Sequence, residues 1–271
     1  MPELPEVETT MRGVQPFVLN KKVRRVVVRD SRLRWPVPKD LNESMAERKI
    51  TSLHRRSKYL LFGNRAGHLL VHLGMSGSLR IVSPDEPPSA HDHIDIEMAS
   101  GKVIRYRDPR RFGSFLWTDE PPEQHKLLRD LGPEPLSDSF TGAHLYARSR
   151  GRKVAVKNFI MDAHVVVGVG NIYASESLHI SGIHPDRHAG RVSAVRYEIL
   201  VESIRDTLKR SIELGGTTLR DFVNSDGNPG YFKQTLMVYG RESKSCRACG
   251  TAIKRKVIGQ RSSFFCPNCQ R

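Results

Sequence analysis

Short stretches in which apolar and polar residues alternate, or in which apolar residues cluster, occupy positions 20 to 118 of the chain. Such stretches are typical of β-strands, and Gly, Ser and Pro residues separate them as turns do. Many short strands in close succession favour an antiparallel sandwich. The predicted strands are 23–28, 59–62, 68–73, 79–82, 94–98, 103–106 and 115–117.

A short helix is predicted before these strands, over residues 3–14. Pro2 and Pro5 stand at its start, where a missing N–H group costs nothing. Gly13 and Pro16 are expected to end it.

A longer helix is predicted over residues 193–214. Apolar residues recur there at helical spacing, Ser193 can cap the first turn, and Gly215 with Gly216 ends the pattern. The predicted fold class is therefore α+β, with an N-terminal antiparallel β-sandwich, flanking helices and a helical C-terminal part.

Two further segments are rich in turn-forming residues. The Pro-rich stretch 131–138 has a composition typical of a boundary between domains. The segment 224–232 predicts an irregular loop that could cover a site.

Charge narrows the class of partner. Lysine and arginine number 44 against 29 acidic residues, which gives a formal net charge of +15. An excess of this size predicts a polyanion partner, with nucleic acid the leading candidate. The charge alone is equally consistent with a soluble basic protein that has no such partner, or with a ribosome-associated protein.

The N-terminal residues lack the basic and apolar regions of a secretory signal, and no stretch is apolar enough to predict a membrane span. We therefore expect a cytoplasmic protein. In that reducing compartment, closely paired cysteines favour metal ligation over disulfides.

Two Cys-x-x-Cys pairs near the C-terminus contain all the cysteines of the chain: Cys246, Cys249, Cys266 and Cys269. Each pair lets two thiolates converge on one ion, so the two pairs predict one structural zinc in a closed tetrahedral site. Between the pairs, Lys254, Arg255, Lys256 and Arg261 are predicted on a β-hairpin that presents cations to phosphates. A ribbon that serves only stability or protein contacts is the alternative.

Several longer motifs follow one another along the whole chain. They are Pro2–Glu8, His72–Gly77, Asp108–Gly113, Val167–Glu176 and the four-cysteine tail. Together they closely resemble the formamidopyrimidine-DNA glycosylase family. The resemblance implies a bifunctional base-excision repair enzyme that removes 8-oxoguanine and formamidopyrimidines from duplex DNA and cleaves the strand at the abasic site. It also implies a helix–two-turn–helix element around the fourth motif.

With this resemblance, each part of the chain has an expected role. We expect a catalytic sandwich over 1–132, a linker over 133–140, and a zinc finger over 239–271. The helical DNA-binding domain between them, 141–238, would include the loop that folds over the lesion.

Pro2 is the predicted nucleophile. Removal of Met1 would expose its secondary amine, with a pKa near ~8, so that a useful fraction is neutral at physiological pH. Attack on C1′ of the damaged nucleotide displaces the base and yields an iminium ion, which permits β- and then δ-elimination. Glu3 is the predicted proton donor to the sugar ring oxygen. Glu6 either supports these groups or serves only as a partner of the helix dipole.

The resemblance implies the other site residues by position. Lys58 and Arg261 belong to the catalytic site, where they contact phosphates. Met75, Arg110 and Phe112 fill the gap that the extruded nucleotide leaves. The implied DNA contacts are made by His91, Arg110, Lys157 and Asn171, and the implied lesion-loop contacts by Thr217, Thr218 and Tyr231. Ala163 stands where other members carry Asn or Gln, which leaves the role of this position open.

The expected partner is damaged double-stranded DNA, bound by a monomer. Two alternatives remain at this stage. The first is an endonuclease VIII-like glycosylase for oxidised pyrimidines, against which Leu4 and Val7 argue. The second is a non-catalytic zinc-ribbon DNA-binding protein, against which Pro2–Glu3 argues.

Overall fold

The computed structural model describes residues 2–216 and 232–271, which form two compact units. Within these residues, the first unit extends to Asp130 and resumes at Leu214. The second comprises Leu131–Glu213 and Gln234–Arg271. No helix in the described residues is long and apolar enough to cross a membrane.

The first unit begins with helix α1, Leu4–Val18. The prediction that Gly13 and Pro16 end this helix is wrong. Val14 and Val18 pack into the hydrophobic core, which holds the last turn in place. Pro16 removes only one N–H group from that turn, and the core contacts offset this loss.

Two four-stranded antiparallel sheets follow α1. Their strand orders are β1-β6-β7-β5 and β2-β3-β4-β8. The elements are β1 (Val23–Val28), α2 (Leu41–Met45), β2 (Ser52–Arg56), β3 (Tyr59–Asn64), β4 (Gly67–His72), β5 (Ser78–Val82), β6 (Asp92–Met98), β7 (Val103–Arg107) and β8 (Ser114–Thr118). Side chains from both sheets, such as Leu60, Ile96 and Phe115, share one hydrophobic core. The predicted antiparallel sandwich is confirmed.

Two short elements of this unit were not predicted, α2 and β2. In β2 only Leu53 points into the core, so the alternation in its sequence is weak. Backbone pairing with β3, in which His54 lies opposite Leu61, holds β2 in the sheet although its own sequence pattern is weak.

The second unit is mainly helical. Its elements are α3 (Gly142–Ser149), α4 (Val156–Met161), α5 (Asn171–Ile180), α6 (Ala194–Glu213) and the hairpin strands β9 (Lys254–Ile258) and β10 (Arg261–Phe265). The helix predicted over 193–214 is confirmed as α6, and Ser193 Oγ accepts a hydrogen bond from the Arg196 N–H at 3.4 Å. Helix α4, a turn over 162–170 that is buried from Val165 onward, and helix α5 form the helix–two-turn–helix element.

Candidate functional site

Pro2 and Glu3 are buried at the start of α1. The Glu3 N–H donates to Glu6 Oε2 at 2.8 Å as part of a capping box that fixes the first helical turn. Gly216, at φ 85°, lies against the same carboxylate, because a Cβ there would be 3.2 Å from Glu6 Oε1. The contacts of Glu6 are those of a residue that orders the helix start.

Lys58 lies in the tight turn between β2 and β3, beside Ser57, whose φ is 56°. Arg55 ties this turn to α1. Its Nε donates to Glu8 Oε2 at 2.8 Å and its Nη1 to the Ser57 carbonyl oxygen at 2.9 Å. Both partners of the ion pair are about nine-tenths buried, with side-chain exposures of 10% and 13%. The first unit thus fixes Lys58 relative to helix α1, whose N-cap is Glu3.

Met75 and Phe112 are large apolar side chains exposed on neighbouring loops, at 39% and 46% of their surface. The backbones of the two loops touch, since a Cβ on Gly74 would lie 2.4 Å from Gly113 N. The Arg110 guanidinium lies over the Phe112 ring, 4.9 Å from its centre. The structure therefore brings together the three residues expected to fill the gap in DNA.

A cavity of about 420 Å³ adjoins these loops, lined by Arg34, His72, Gly74, Met75 and Phe112. Burial, with Lys58 and Arg34 nearby, lowers the pKa of His72 to about 4. The imidazole is consequently neutral at pH 7, and its Nδ1 accepts the Gly74 N–H at 3.0 Å. A neutral His72 thereby orders the loop that carries Met75.

His91 precedes β6 and is half-buried. Its carbonyl oxygen accepts the Asp108 N–H at 3.0 Å, which places it beside the segment that leads to Arg110. The predicted site residues from Pro2 to Phe112 thus all lie in the first unit.

In the second unit, Lys157 on α4 and Asn171 at the start of α5 form one hydrogen-bonded group. Lys157 is fully buried, and its Nζ donates to Asn171 Oδ1. The Asn171 amide donates in turn to the Ser262 carbonyl oxygen on β10 at 3.0 Å. Asn171 therefore links the helix–two-turn–helix element to the hairpin, and Lys157 orients it.

The predicted hairpin is confirmed, with its turn at Gly259 and Gln260. Gly259 has φ 56° and packs so closely on α4 that a Cβ would lie 2.2 Å from Asn158 Nδ2. Arg261 is exposed at the start of β10. Two of the other hairpin cations have acidic partners within the unit, Arg255 with Glu242 at 3.6 Å and Lys256 with Asp186.

The four cysteine sulfurs converge, all within 4.8 Å of one another. Cys246 and Cys269 sulfurs are 4.0 Å apart, and Cys249 and Cys266 sulfurs 3.4 Å. Tetrahedral zinc with Zn–S bonds of about 2.3 Å requires sulfurs about 3.8 Å apart, so the donor set fits this ion. With four thiolate ligands, the ion would have no position open for substrate.

Hydrogen bonds attach the zinc module and the segment before it to helix α5 and to the residues that follow this helix. Gln270 Oε1 accepts the Cys266 N–H at 2.9 Å, and Gln270 Nε2 donates to the Ile183 carbonyl oxygen at 2.9 Å. Glu176 on α5 accepts the N–H groups of residues 237 to 239 at 2.7 to 2.9 Å. The ion and these bonds together fix the hairpin that carries Arg261.

The Cys249→Ser variant tests this arrangement. We expect it to lose zinc and to bind DNA on the order of tenfold more weakly, which corresponds to about 1.4 kcal/mol, because three ligands hold the hairpin less firmly. Metal analysis and a binding titration measure both effects. Cleavage of a single-stranded abasic oligonucleotide serves as the control for the first unit, and zinc-free wild-type protein with full DNA affinity would contradict the prediction.

Three predicted residues, Thr217, Thr218 and Tyr231, lie outside the described residues. Ala163 is half-buried, and its carbonyl oxygen accepts the Gly132 N–H at 2.8 Å. This contact uses only the backbone, so the structure gives no role to the side chain at position 163.

Sequence reasoning gave no role to Asp108 or Glu176, although both stand inside quoted motifs. Both are buried carboxylates, exposed by 0% and 2%, and each accepts several backbone N–H groups. The available signal was that each motif contains a single acidic residue, which needs hydrogen-bond donors wherever its segment is buried.

Comparisons with known proteins agree along the whole chain. Residues 1–115 match the formamidopyrimidine-DNA glycosylase N-terminal domain, 131–223 the H2TH domain of the same enzymes, and 243–271 the zinc finger found in these enzymes and in isoleucyl-tRNA synthetases. The chain is 61% identical over 271 residues to the formamidopyrimidine-DNA glycosylase of Syntrophotalea carbinolica, with all of both chains covered. It belongs to the formamidopyrimidine-DNA glycosylase family.

Solved structures of the family extend this agreement to three dimensions. The Thermus thermophilus enzyme is 36% identical and superposes with a TM-score of 0.88 over 99% of this chain and 98% of that one. A Lactococcus lactis mutant enzyme in complex with DNA that contains a formamidopyrimidine is 30% identical, with a TM-score of 0.91 over the whole of both chains. The protein is a base-excision DNA glycosylase with lyase activity, and it holds one structural zinc.

Proposed function

We propose that this enzyme excises oxidised purines from duplex DNA, and that the amine of Pro2 is its nucleophile. The observation that carries the proposal is the buried Pro2–Glu3 pair at the start of α1, in a chain that belongs to this family. The complex of the Lactococcus lactis relative with formamidopyrimidine-containing DNA supports the substrate class.

The first step joins Pro2 to the sugar. After removal of Met1, the lone pair of the amine attacks C1′, and the bond from C1′ to the base breaks with its electrons on the base, which takes up a proton. The amine releases its own proton, and its lone pair then opens the sugar ring. The C1′–O4′ bond breaks, O4′ receives a proton from Glu3, and an iminium ion remains.

Strand cleavage follows from the iminium, which withdraws electrons from the sugar. Loss of the C2′ proton expels the 3′ phosphate oxygen, and loss of the C4′ proton then expels the 5′ phosphate oxygen. Hydrolysis of the remaining iminium restores the Pro2 amine. We assign Lys58 to the phosphates beside the lesion, where its ammonium stabilises developing negative charge.

The duplex must be opened before Pro2 can act, because the sugar carbon is shielded while the base is stacked. We assign Met75 and Phe112 to the gap that the extruded nucleotide leaves, and Arg110 to the partner base. Two exposed apolar side chains on touching loops, with Arg110 stacked on one of them, support this assignment.

Further phosphate contacts are proposed within each unit. We assign them to His91 in the first unit and to Asn171 and Arg261 in the second, with Lys157 as the residue that orients Asn171. We further propose that the enzyme acts as a monomer in the cytoplasm. Four cysteines placed for metal ligation, as is common in reducing compartments, support that location.

The substrate class can be tested with two matched duplexes. One contains 8-oxoguanine opposite cytosine, the other thymine glycol in the same sequence. We expect single-turnover excision to be faster for 8-oxoguanine, by on the order of tenfold or more. Undamaged duplex is the control, and a preference for thymine glycol would overturn the proposed substrate class in favour of oxidised pyrimidines.

A further inference from the structure

Asp108 is fully buried, and the chemistry above does not use it. Its two carboxylate oxygens accept four hydrogen bonds. Oδ1 accepts from Ser76 Oγ at 2.7 Å and Arg110 N at 3.2 Å, and Oδ2 accepts from Gly113 N at 2.9 Å and Tyr106 Oη at 3.0 Å. A buried charge with this many donors is held in a fixed position.

These donors connect the two loops that carry the exposed apolar side chains. We call residues 74–77 and 109–113 the wedge loops. Ser76 belongs to the first loop, and the Arg110 and Gly113 N–H groups to the second. A single carboxylate therefore bonds to both loops. In the first loop it bonds to the residue after Met75, and in the second loop to the residues on either side of the Arg111–Phe112 pair.

The backbone of the second wedge loop needs such support. Arg111 has φ 54°, a left-handed conformation that residues with a side chain adopt rarely. Asp108 accepts the N–H groups of residues 110 and 113, which lie before and after this position. The same carboxylate thus stabilises the turn that exposes Phe112.

The Tyr106 phenol, which donates to Asp108, also contacts both wedge loops. Burial and the adjacent Asp108 raise the pKa of Tyr106 well above its usual value, so the phenol keeps its proton and donates it. A Cβ on Gly77 would lie 2.8 Å from the phenol oxygen, and one on Gly113 only 1.7 Å. Glycine at both positions lets the phenol contact the backbone of both wedge loops.

We infer that Asp108 is a positioning residue for nucleotide extrusion, because it sets the spacing between Met75 and Phe112 by bonding to both wedge loops. This inference rests on the proposed role of Met75 and Phe112. It predicts a defect in opening the duplex, whereas the later chemistry at Pro2 remains intact.

The Asp108→Asn variant tests the inference. Its amide keeps the size of the side chain but replaces one acceptor oxygen with a donor. Whichever way the amide faces, either the Arg110 N–H or the Gly113 N–H loses its acceptor. We expect the rate of extrusion to fall about tenfold. The fluorescence of 2-aminopurine placed next to 8-oxoguanine measures this rate. Cleavage of single-stranded abasic DNA, which requires no extrusion, should stay near the wild-type rate.

Ser76→Ala provides a second variant that removes only one hydrogen bond, and it should show the same pattern with a smaller defect. Asp119→Asn and Ser83→Ala, both at exposed positions, are the matched controls. Equal losses in extrusion and in abasic cleavage, or no loss in either, would overturn the inference. Normal extrusion by Met75→Ala and Phe112→Ala would overturn the role of the wedge side chains, and the inference with it. A defect in those two variants but not in Asp108→Asn would overturn the inference alone.

Discussion

Borohydride should trap the enzyme covalently on DNA that contains 8-oxoguanine, with the new bond at Pro2. Attack by a secondary amine produces an iminium ion, and reduction of that ion gives a stable amine that survives denaturation. Peptide mapping of the adduct identifies the residue. Lys58, half-buried in the same unit, and Lys157 are the amines from which the mapping must distinguish Pro2, and an adduct on a lysine would contradict the assignment.

A protein that retains Met1, or any residue ahead of Pro2, supplies the matched control. Its Pro2 nitrogen is an amide without a nucleophilic lone pair, so trapping and strand cleavage should both fall below detection. Binding to the lesion should persist, because the proposed phosphate contacts do not involve the amine. Cleavage by this blocked protein at the normal rate would show that Pro2 is not the nucleophile.

Glu3→Gln should reduce base excision by roughly 10² or more, the usual contribution of a positioned proton donor. Glutamine has nearly the same shape but cannot donate the proton that O4′ requires. The C1′ adduct then does not open to the iminium, and the displaced base can re-form its bond to C1′. Lesion binding should remain, and an abasic substrate should still be cut slowly because its glycosidic bond is already broken. Single-turnover excision and a binding titration separate these effects.

Two further variants show whether the effect belongs to Glu3 itself. Glu6→Gln retains an acceptor for the Glu3 N–H, so it should excise nearly normally if Glu6 only orders the helix start. Glu120→Gln, at an exposed site of the same unit, controls for the loss of one charge. Near-normal excision by Glu3→Gln would assign proton transfer to another group.

Features that depend on neighbours in the chain could be predicted from the sequence. The spacing of Cys246, Cys249, Cys266 and Cys269 predicted a zinc site, since each pair lies within one turn of backbone. Alternation predicted the strands in which nearly every inward position is apolar, such as β6 and β7. The adjacency of Pro2 and Glu3 likewise predicted a nucleophile beside a proton donor without any knowledge of the fold.

Roles that depend on distant partners could not be predicted in this way. Asp108 receives its bond from Ser76 across 32 residues, and Asn171 reaches Ser262 across 91. The full burial of Lys157 and its hydrogen bond to Asn171 also became evident only in the structure.

The sequence by itself thus determined the fold class, the family and the zinc ligands, and it predicted the nucleophile, because each depends on local pattern or on motifs that follow one another along the chain. The tertiary structure alone decided the sheet order, the persistence of α1 through Pro16, and the use of Asp108 and Glu176 as buried acceptors. The reason is physical. A carboxylate can remain buried only where folding brings several N–H or O–H donors to it, and those donors come from segments whose proximity depends on the closure of the whole sandwich or helical unit.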